Sequence, residues 1–255
     1  MPKPQPKYRD IADALRAQIE SGELPQGRKL PHTEKLMGTF SASKHTVRAA
    51  VDVLVQEGLV VARRRYGTYV RDRRPVRIPL NRYRSSLQSN GELGPFEAAC
   101  KEQGLAGEMK VVGDPEQVRD PDVAVLLGLP PGEDMVCRRR EALIEGQVVQ
   151  FQSAWYPLDV AQAAGLDQPG KVDGGVYPRL EAAGFPAVEA DERVSARMPT
   201  KEEGDQLGTG VALPVLTIER ISRSDTGRPI ELLRVVAAGD RMELAYEALP
   251  LPRRG

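Results

Sequence analysis

The tightest constraint in this 255-residue chain is its first seventy residues, where three helical stripes and a basic hairpin follow one another without slack. Tyr8, Ile11, Leu15 and Ile19 recur at spacings of three and four, giving one apolar helical face. Gly22 ends that helix, and the proline-bearing stretch 24–31 cannot continue it. A short second helix over 33–40 turns Leu36 and Phe40 inward. Ser41–Ala42–Ser43 form the turn, with Ser43 as N-cap of a third helix from about Lys44 to Glu57. Val47, Ala50, Val51 and Leu54 fall on its inner face; Lys44, His45 and Arg48 fall on its outer face. Two β-like runs, 59–62 and 68–70, flank Arg63, Arg64, Arg65, Tyr66 and Gly67. Gly67 supplies the positive φ that a tight hairpin needs.

Three adjacent arginines at a hairpin tip repel one another unless an anion meets them. Phosphates do so, because each neutralised phosphate releases condensed counterions. Helix, helix, turn, helix and basic hairpin together make a winged helix-turn-helix, and double-stranded DNA is the expected partner. Charge points the same way. Residues 1–84 carry 18 Lys and Arg against 8 Asp and Glu, a net of +10, and the remainder carries −10. The formal charge of zero therefore hides a basic head on an acidic body.

Other classes are narrowed by composition. With 40% hydrophobic and 28% charged residues the chain is of ordinary globular type. No apolar run approaches the roughly 18–20 residues of a membrane span, and the first ten residues lack the apolar core of a signal peptide. A cytoplasmic protein without a membrane partner is expected. Cys100 and Cys137 are expected as free thiols, and His32 and His45 are the only histidines. Nothing in the chain suggests a metal or another cofactor.

The amino-terminal motif, Y8-x2-IA-x2-LR through KLP, then S43-K44-x-TVR48, EGLV60 and G67-T-Y-V70, resembles the GntR family of bacterial regulators. The resemblance implies that the third helix enters the major groove while the wing touches the minor groove or backbone. By position it assigns DNA contact to Thr33, Ser43, Lys44, His45, Thr46 and Arg48, with Arg63, Arg64, Arg65, Tyr66 and Gly67 in the wing. Two departures stand out. Glu34 occupies a position that is often basic, and Lys44 stands where arginine is usual. Lysine cannot fork onto a guanine edge, so the operator is expected to differ from the commonest half-site of the family.

Residues 71–95 are basic, proline-bearing and without periodicity, which reads as a linker. The expected organisation is a DNA-binding domain over 1–72, a linker over 73–94 and a second domain over 95–250. Helices are expected near 95–103, 115–127, 174–183 and 200–207. Strands are expected near 108–113, 134–143, 147–156, 188–197, 214–223 and 229–248. Hairpins at Glu145–Gly146 and Thr226–Gly227 make this an antiparallel sheet with helices packed on one side, an α+β fold.

Four stretches in the second half, 126–149, 177–185, 196–208 and 217–231, resemble the UTRA effector domain of the HutC subfamily, which is similar in fold to chorismate lyase. What the resemblance implies is a homodimeric regulator, more often a repressor, on a palindromic operator, modulated by a small-molecule effector. Members that sense phosphosugars carry an Arg-x-Arg pair, two acids and an aromatic in the pocket. Here those positions fall on Arg140 and Ala142, on Gln152 and Glu231, and on Ala237. A pocket short of one arginine holds phosphate poorly. A less charged or more apolar effector is therefore expected, met by Arg138, Arg140, Gln152, Ser153, Trp155 and Glu231. An alternative is that Arg138 and Arg140 are a solvated face of an edge strand. Core packing is the expectation for Tyr156. A ligand-free dimerisation domain and a lyase-like enzyme are the other readings. The enzyme finds no Ser/His/Asp set and no histidine beyond His45.

Overall fold

The computed structural model describes residues 7–63, 67–79, 93–172, 174–211 and 213–246. Chain contacts divide it into two compact units. One comprises residues 1–74 with 198–214, the other 75–197 with 215–255.

The first unit opens with α1 (Lys7–Glu20), α2 (Thr33–Phe40) and α3 (Lys44–Gln56). The helical stripes meet as their spacing dictates: Ile11, Leu15, Leu36, Val47 and Leu54 share one core with Val60 and Val70. Ser41 takes a left-handed conformation (φ 44°) that closes α2. Arg16 forks onto Glu57 with contacts of 2.7–3.0 Å, clamping α1 to the end of α3. β1 (Val60–Arg63) and β2 (Gly67–Val70) pair antiparallel, with Arg63 opposite Gly67. Residues 27–30 run beside β2. Leu30 N–H donates to the Thr68 carbonyl and Val70 N–H to the Arg28 carbonyl, both at 2.8 Å. Residues 198–214 carry α8 (Lys201–Gln206), which starts from a capping box between Thr200 and Glu203. Gly204 is required within it, because a Cβ there would lie 2.0 Å from the Gly210 carbonyl oxygen.

The second unit is built on a six-stranded antiparallel sheet in the order β4-β5-β6-β9-β8-β7. Its strands are β4 (Gly107–Val118), β5 (Met135–Ile144), β6 (Gln147–Pro157), β7 (Ala187–Arg197), β8 (Val215–Ser224) and β9 (Pro229–Ala238). The main core lies on one face, where α4 (Pro95–Glu102), α6 (Leu158–Ala164) and α7 (Val176–Ala182) contribute Phe96, Val160 and Leu180 to it.

The structure corrects the sequence in four places. β3 (Val76–Pro79) pairs in parallel with β10 (Met242–Ala245), so part of the expected linker is a strand of the second unit. Residues 80–92 of that linker lie outside the described residues. The helix expected over 115–127 is only α5 (Pro121–Leu126), because β4 continues to Val118. Asp120 caps α5 by accepting from the Asp122 and Val123 N–H groups, and Pro121 starts it without needing a donor. The helices are not all on one side: Val123, Ala124 and Leu127 pack with Met135, Leu232 and Trp155 in a separate cluster. Finally, no element is expected from the sequence between the strand near 147–156 and the helix near 174–183, whereas α6 follows β6 and buries Val160, Ala161 and Ala164.

Candidate functional site

The α3 face of the first unit is shaped by its first turn. Ser43 has extended backbone, and its Oγ accepts from the Thr46 N–H at 3.2 Å and sits 2.8 Å from Thr46 Oγ1. That bond meets one of the helix's otherwise unpaired donors. It leaves Ser43, Lys44, His45 and Arg48 exposed together, with Thr46 half-buried between them, while Val47 and Ala50 are fully buried. Thr33 is half-buried at the start of α2, beside the exposed Glu34. The side chain of Arg63, and all of Arg64, Arg65 and Tyr66, lie outside the described residues. Gly67 has φ +105°, and a Cβ on it would come within 2.5 Å of Lys29 Cε. Lys29, bridged to Tyr69, and Arg28 thus extend the basic edge of the wing. Sequence reasoning missed both. The signal was there as two adjacent cations, but only the folding of 27–30 against β2 brings them to the wing.

The second unit holds a cavity of about 460 Å³ on the core face of the sheet. Its walls follow strand parity, since alternate side chains of a strand point to one face. Arg138 and Arg140 from β5, Gln150, Gln152 and Tyr156 from β6, and Glu231, Leu233 and Val235 from β9 all line it. Ser153 and Trp155 do not line it. They stand one residue out of phase with Gln152, on the opposite face, where Trp155 packs near Ile221 and carries Arg234 over its ring at 5.7 Å. Two adjacent β-strand residues cannot both enter one cavity, so parity could have excluded them. Tyr177 and Pro178 of α7, with Phe96 and Glu97 of α4, close the cavity, none of them foreseen.

Most of the charged groups here have protein partners. β5 is the second strand of the sheet, not an edge, and Arg138 is 5% exposed. Its guanidinium donates to the carbonyls of Leu166 (2.7 Å), Gln168 (2.7 Å) and Gly170 (2.5 Å), holding the turn after α6. Burial pulls its pKa below the usual arginine range. Glu231 is 3% exposed and accepts from three hydroxyls. Tyr156 donates to Oε1 at 2.7 Å, Tyr177 to Oε2 at 3.0 Å and Ser222 to Oε2 at 3.2 Å. Burial, with the Glu231 charge second, pushes the Tyr156 phenol well above its ordinary pKa. Tyr156 therefore combines core packing with a polar role. Glu97 lies 3.6 Å from Lys171 and accepts from the Gly94 N–H. The two alanines at the altered positions flank Gln150 in the sheet: Ala142 faces Gln150, which faces Ala237. Both are completely buried, so no arginine or aromatic reaches the cavity from that row.

Cys100 and Cys137 are free and buried, and burial pushes the Cys100 thiol up to about 11. Among the described residues, no cluster of three or more His, Cys, Asp or Glu side chains could hold a metal. No described helix is long and apolar enough to cross a membrane.

A helix-turn-helix with a basic wing, joined in one chain to a sheet domain with a ligand-sized cavity, defines a DNA-binding regulator with an effector domain. Residues 7–70 match the gntR family of bacterial regulatory proteins, and residues 102–243 match the UTRA domain. The chain is 30% identical over 253 residues to an uncharacterised HTH-type transcriptional regulator of Streptomyces coelicolor, covering 95% of this chain and 92% of that one. It is 29% identical to an HTH-type transcriptional regulator of Mycobacterium tuberculosis, covering 97% and 87%. A crystal structure of a GntR-family transcriptional regulator superposes with a TM-score of 0.56 at 30% identity, covering 97% of this chain and 99% of that one. PhnF from Mycobacterium smegmatis shares the fold at 23% identity and a TM-score of 0.57, covering 92% and 97%. The chain belongs to the GntR family, in the HutC-type architecture that joins the winged helix-turn-helix to a UTRA domain.

Proposed function

We propose that this protein is a homodimeric cytoplasmic repressor without enzymatic activity, released from a palindromic operator by a neutral or weakly charged effector. One observation carries the effector class: Arg140 remains of the expected Arg-x-Arg pair, but the second arginine and the aromatic are replaced by alanines and the neighbouring Arg138 is engaged by the protein itself. Arg138 serves three carbonyls, and Ala142 and Ala237 leave Gln150 between two methyl groups. Apolar walls from Met109, Val111, Ile218, Leu233 and Val235 complete the site. An open cavity of this size also favours sensing over a purely structural second domain, and it is in the range of small-molecule sites.

On the DNA side, Ser43, Lys44, His45, Thr46 and Arg48 meet base edges and phosphates, with Thr33 and the wing residues Arg63 to Gly67 on the backbone. Ligand acts through its differential affinity for the dimer geometries that fit and misfit the two half-sites. The test is a thermal-shift screen of the full protein, followed by operator release in a mobility-shift assay. Neutral or apolar ligands should raise the melting temperature and release DNA. A strong shift from phosphosugars alone refutes the proposed effector class.

A further inference from the structure

One stretch of the chain packs away from the domain its sequence matches. Residues 198–214 fall inside the UTRA match, yet they cluster with residues 1–74. The chain enters this arm from β7 and leaves it into β8, strands that carry Glu192 and Ile218 of the cavity wall. The arm is internally bonded. Thr200 and Glu203 form its capping box. The N–H groups of Thr209 and Gly210 both donate to the Gly204 carbonyl, at 2.9 and 3.1 Å. Leu207 and Thr209 are buried. A segment whose backbone groups are satisfied within itself moves as one body.

The arm closes on the base of the wing. Leu213 seats on the turn between α3 and β1, its Cγ 2.7 Å from the point that a Cβ on Gly58 would occupy. Val61 Cγ2 of β1 lies 3.3 Å from the corresponding point on Gly208. Arg71, which follows β2 and is buried, donates from Nη1 to the Gly208 carbonyl at 3.4 Å. Both strands of the hairpin are thus met at the end remote from its tip. They have four residues each, and a two-stranded hairpin is marginally stable without a packing partner. At about 3.3 Å per residue, the tip stands about 13 Å from the base. A tilt of about 10° at the base moves the tip by about 2 Å, enough to break a hydrogen bond to a phosphate.

We propose that the 198–214 arm is the positioning element of the wing, with Leu213 as its main contact. It holds the hairpin at the angle at which Arg63, Arg64 and Arg65 meet phosphates. Leu213 is a positioning residue: it acts on DNA through the wing and not by touching it. The inference rests on the wing contacts of the proposed function and adds what sets them. That element is continuous in the chain with two strands of the effector cavity. Val211 belongs to the same arm but is 57% exposed, so it serves as the control.

The experiment is a double-mutant cycle on DNA affinity, read by fluorescence anisotropy of the full protein. The probe is a labelled duplex of mixed sequence at low fixed salt, because phosphate contacts do not depend on sequence. Leu213→Ala should weaken binding about fivefold and lower the slope of log K against log salt by up to about 3. With Arg63, Arg64 and Arg65 already alanine, the same substitution should change affinity less than about twofold. Leu213→Met refills the space and should restore affinity to within about twofold of wild type. Val211→Ala should leave it unchanged. A loss of folded protein lowers affinity by the same factor in both backgrounds. Equal factors would therefore assign Leu213 to the fold alone and overturn the proposal. Unchanged or tighter binding by Leu213→Ala overturns it as well, and in both cases the regulator itself stands. A wild-type protein whose affinity depends neither on salt nor on the three arginines overturns the wing contacts and the arm together.

Discussion

Arg138→Met separates two roles for one buried cation. If Arg138 reads the effector, the variant loses affinity and keeps its stability. The structure assigns it the opposite role, a clamp on the turn after α6. The Leu166 carbonyl is buried, and losing its charged donor costs about 1–3 kcal/mol. The Gln168 and Gly170 carbonyls are on exposed residues where water can replace the guanidinium, so each contributes about 0.5–1 kcal/mol. Relief of the buried charge offsets part of this, as the depressed pKa indicates. The net loss is about 2–3 kcal/mol, which in a unit of this size lowers Tm by roughly 5–10 °C. Differential scanning calorimetry of the ligand-free protein measures it, and effector titration on the same variant gives the second readout. A Tm change under about 2 °C with a large affinity loss refutes the clamp and restores Arg138 to the effector.

Arg48→Ala should cost about 1–3 kcal/mol on the specific operator and almost nothing on random DNA, measured by competition at fixed salt. Replacing Arg63, Arg64 and Arg65 by alanine should instead weaken all DNA about equally, and should flatten the slope of log K against log salt by up to about 3. Tyr156→Phe should change the alkaline limb of stability. The Tyr156 phenol has a raised pKa when folded, so its contribution is intact below about pH 10 and lost as pH rises toward the folded value. Wild-type stability should therefore fall above pH 10 by up to about 1.4 kcal/mol per pH unit more than that of the variant, as read by urea denaturation.

The amino-terminal unit was legible residue by residue, because a small helical core leaves few choices. Stripe spacing, Gly22 and the Ser43 cap fixed each helix end to within a residue or two. The sheet domain was legible as an order of elements but not as a site. Strand parity separates Ser153 and Trp155 from Gln152, because successive side chains of a strand point to opposite faces. The start of α5 is also written locally, in Asp120 and Pro121, and the residues before them belong to β4, which runs to Val118. The parallel pairing of β3 with β10 joins residues some 165 positions apart, and no local pattern announces it.

What no sequence pattern supplies is which polar groups already have partners, and the effector chemistry turns on that. Arg138 reads as an anion ligand on any alignment of charge, yet its donors face main-chain carbonyls. Glu231 reads as an acid for sugar hydroxyls, yet two tyrosines and a serine supply those hydroxyls from within the protein. A ligand hydroxyl approaching Oε2 of Glu231 would compete with Tyr177, whose phenol ties α7 to the sheet. Tyr177→Phe tests that exchange. It removes one donor to Glu231 and leaves Tyr156 and Ser222 in place. If effector and Tyr177 compete for Glu231, the variant should bind a hydroxyl-bearing effector more tightly, by about three- to tenfold at about 0.7–1.4 kcal/mol. If the effector never reaches Glu231, affinity should change less than about twofold while stability falls by about 1 kcal/mol. Calorimetric titration beside urea denaturation distinguishes the two, and a large loss of affinity at unchanged stability would refute both by making Tyr177 itself the contact.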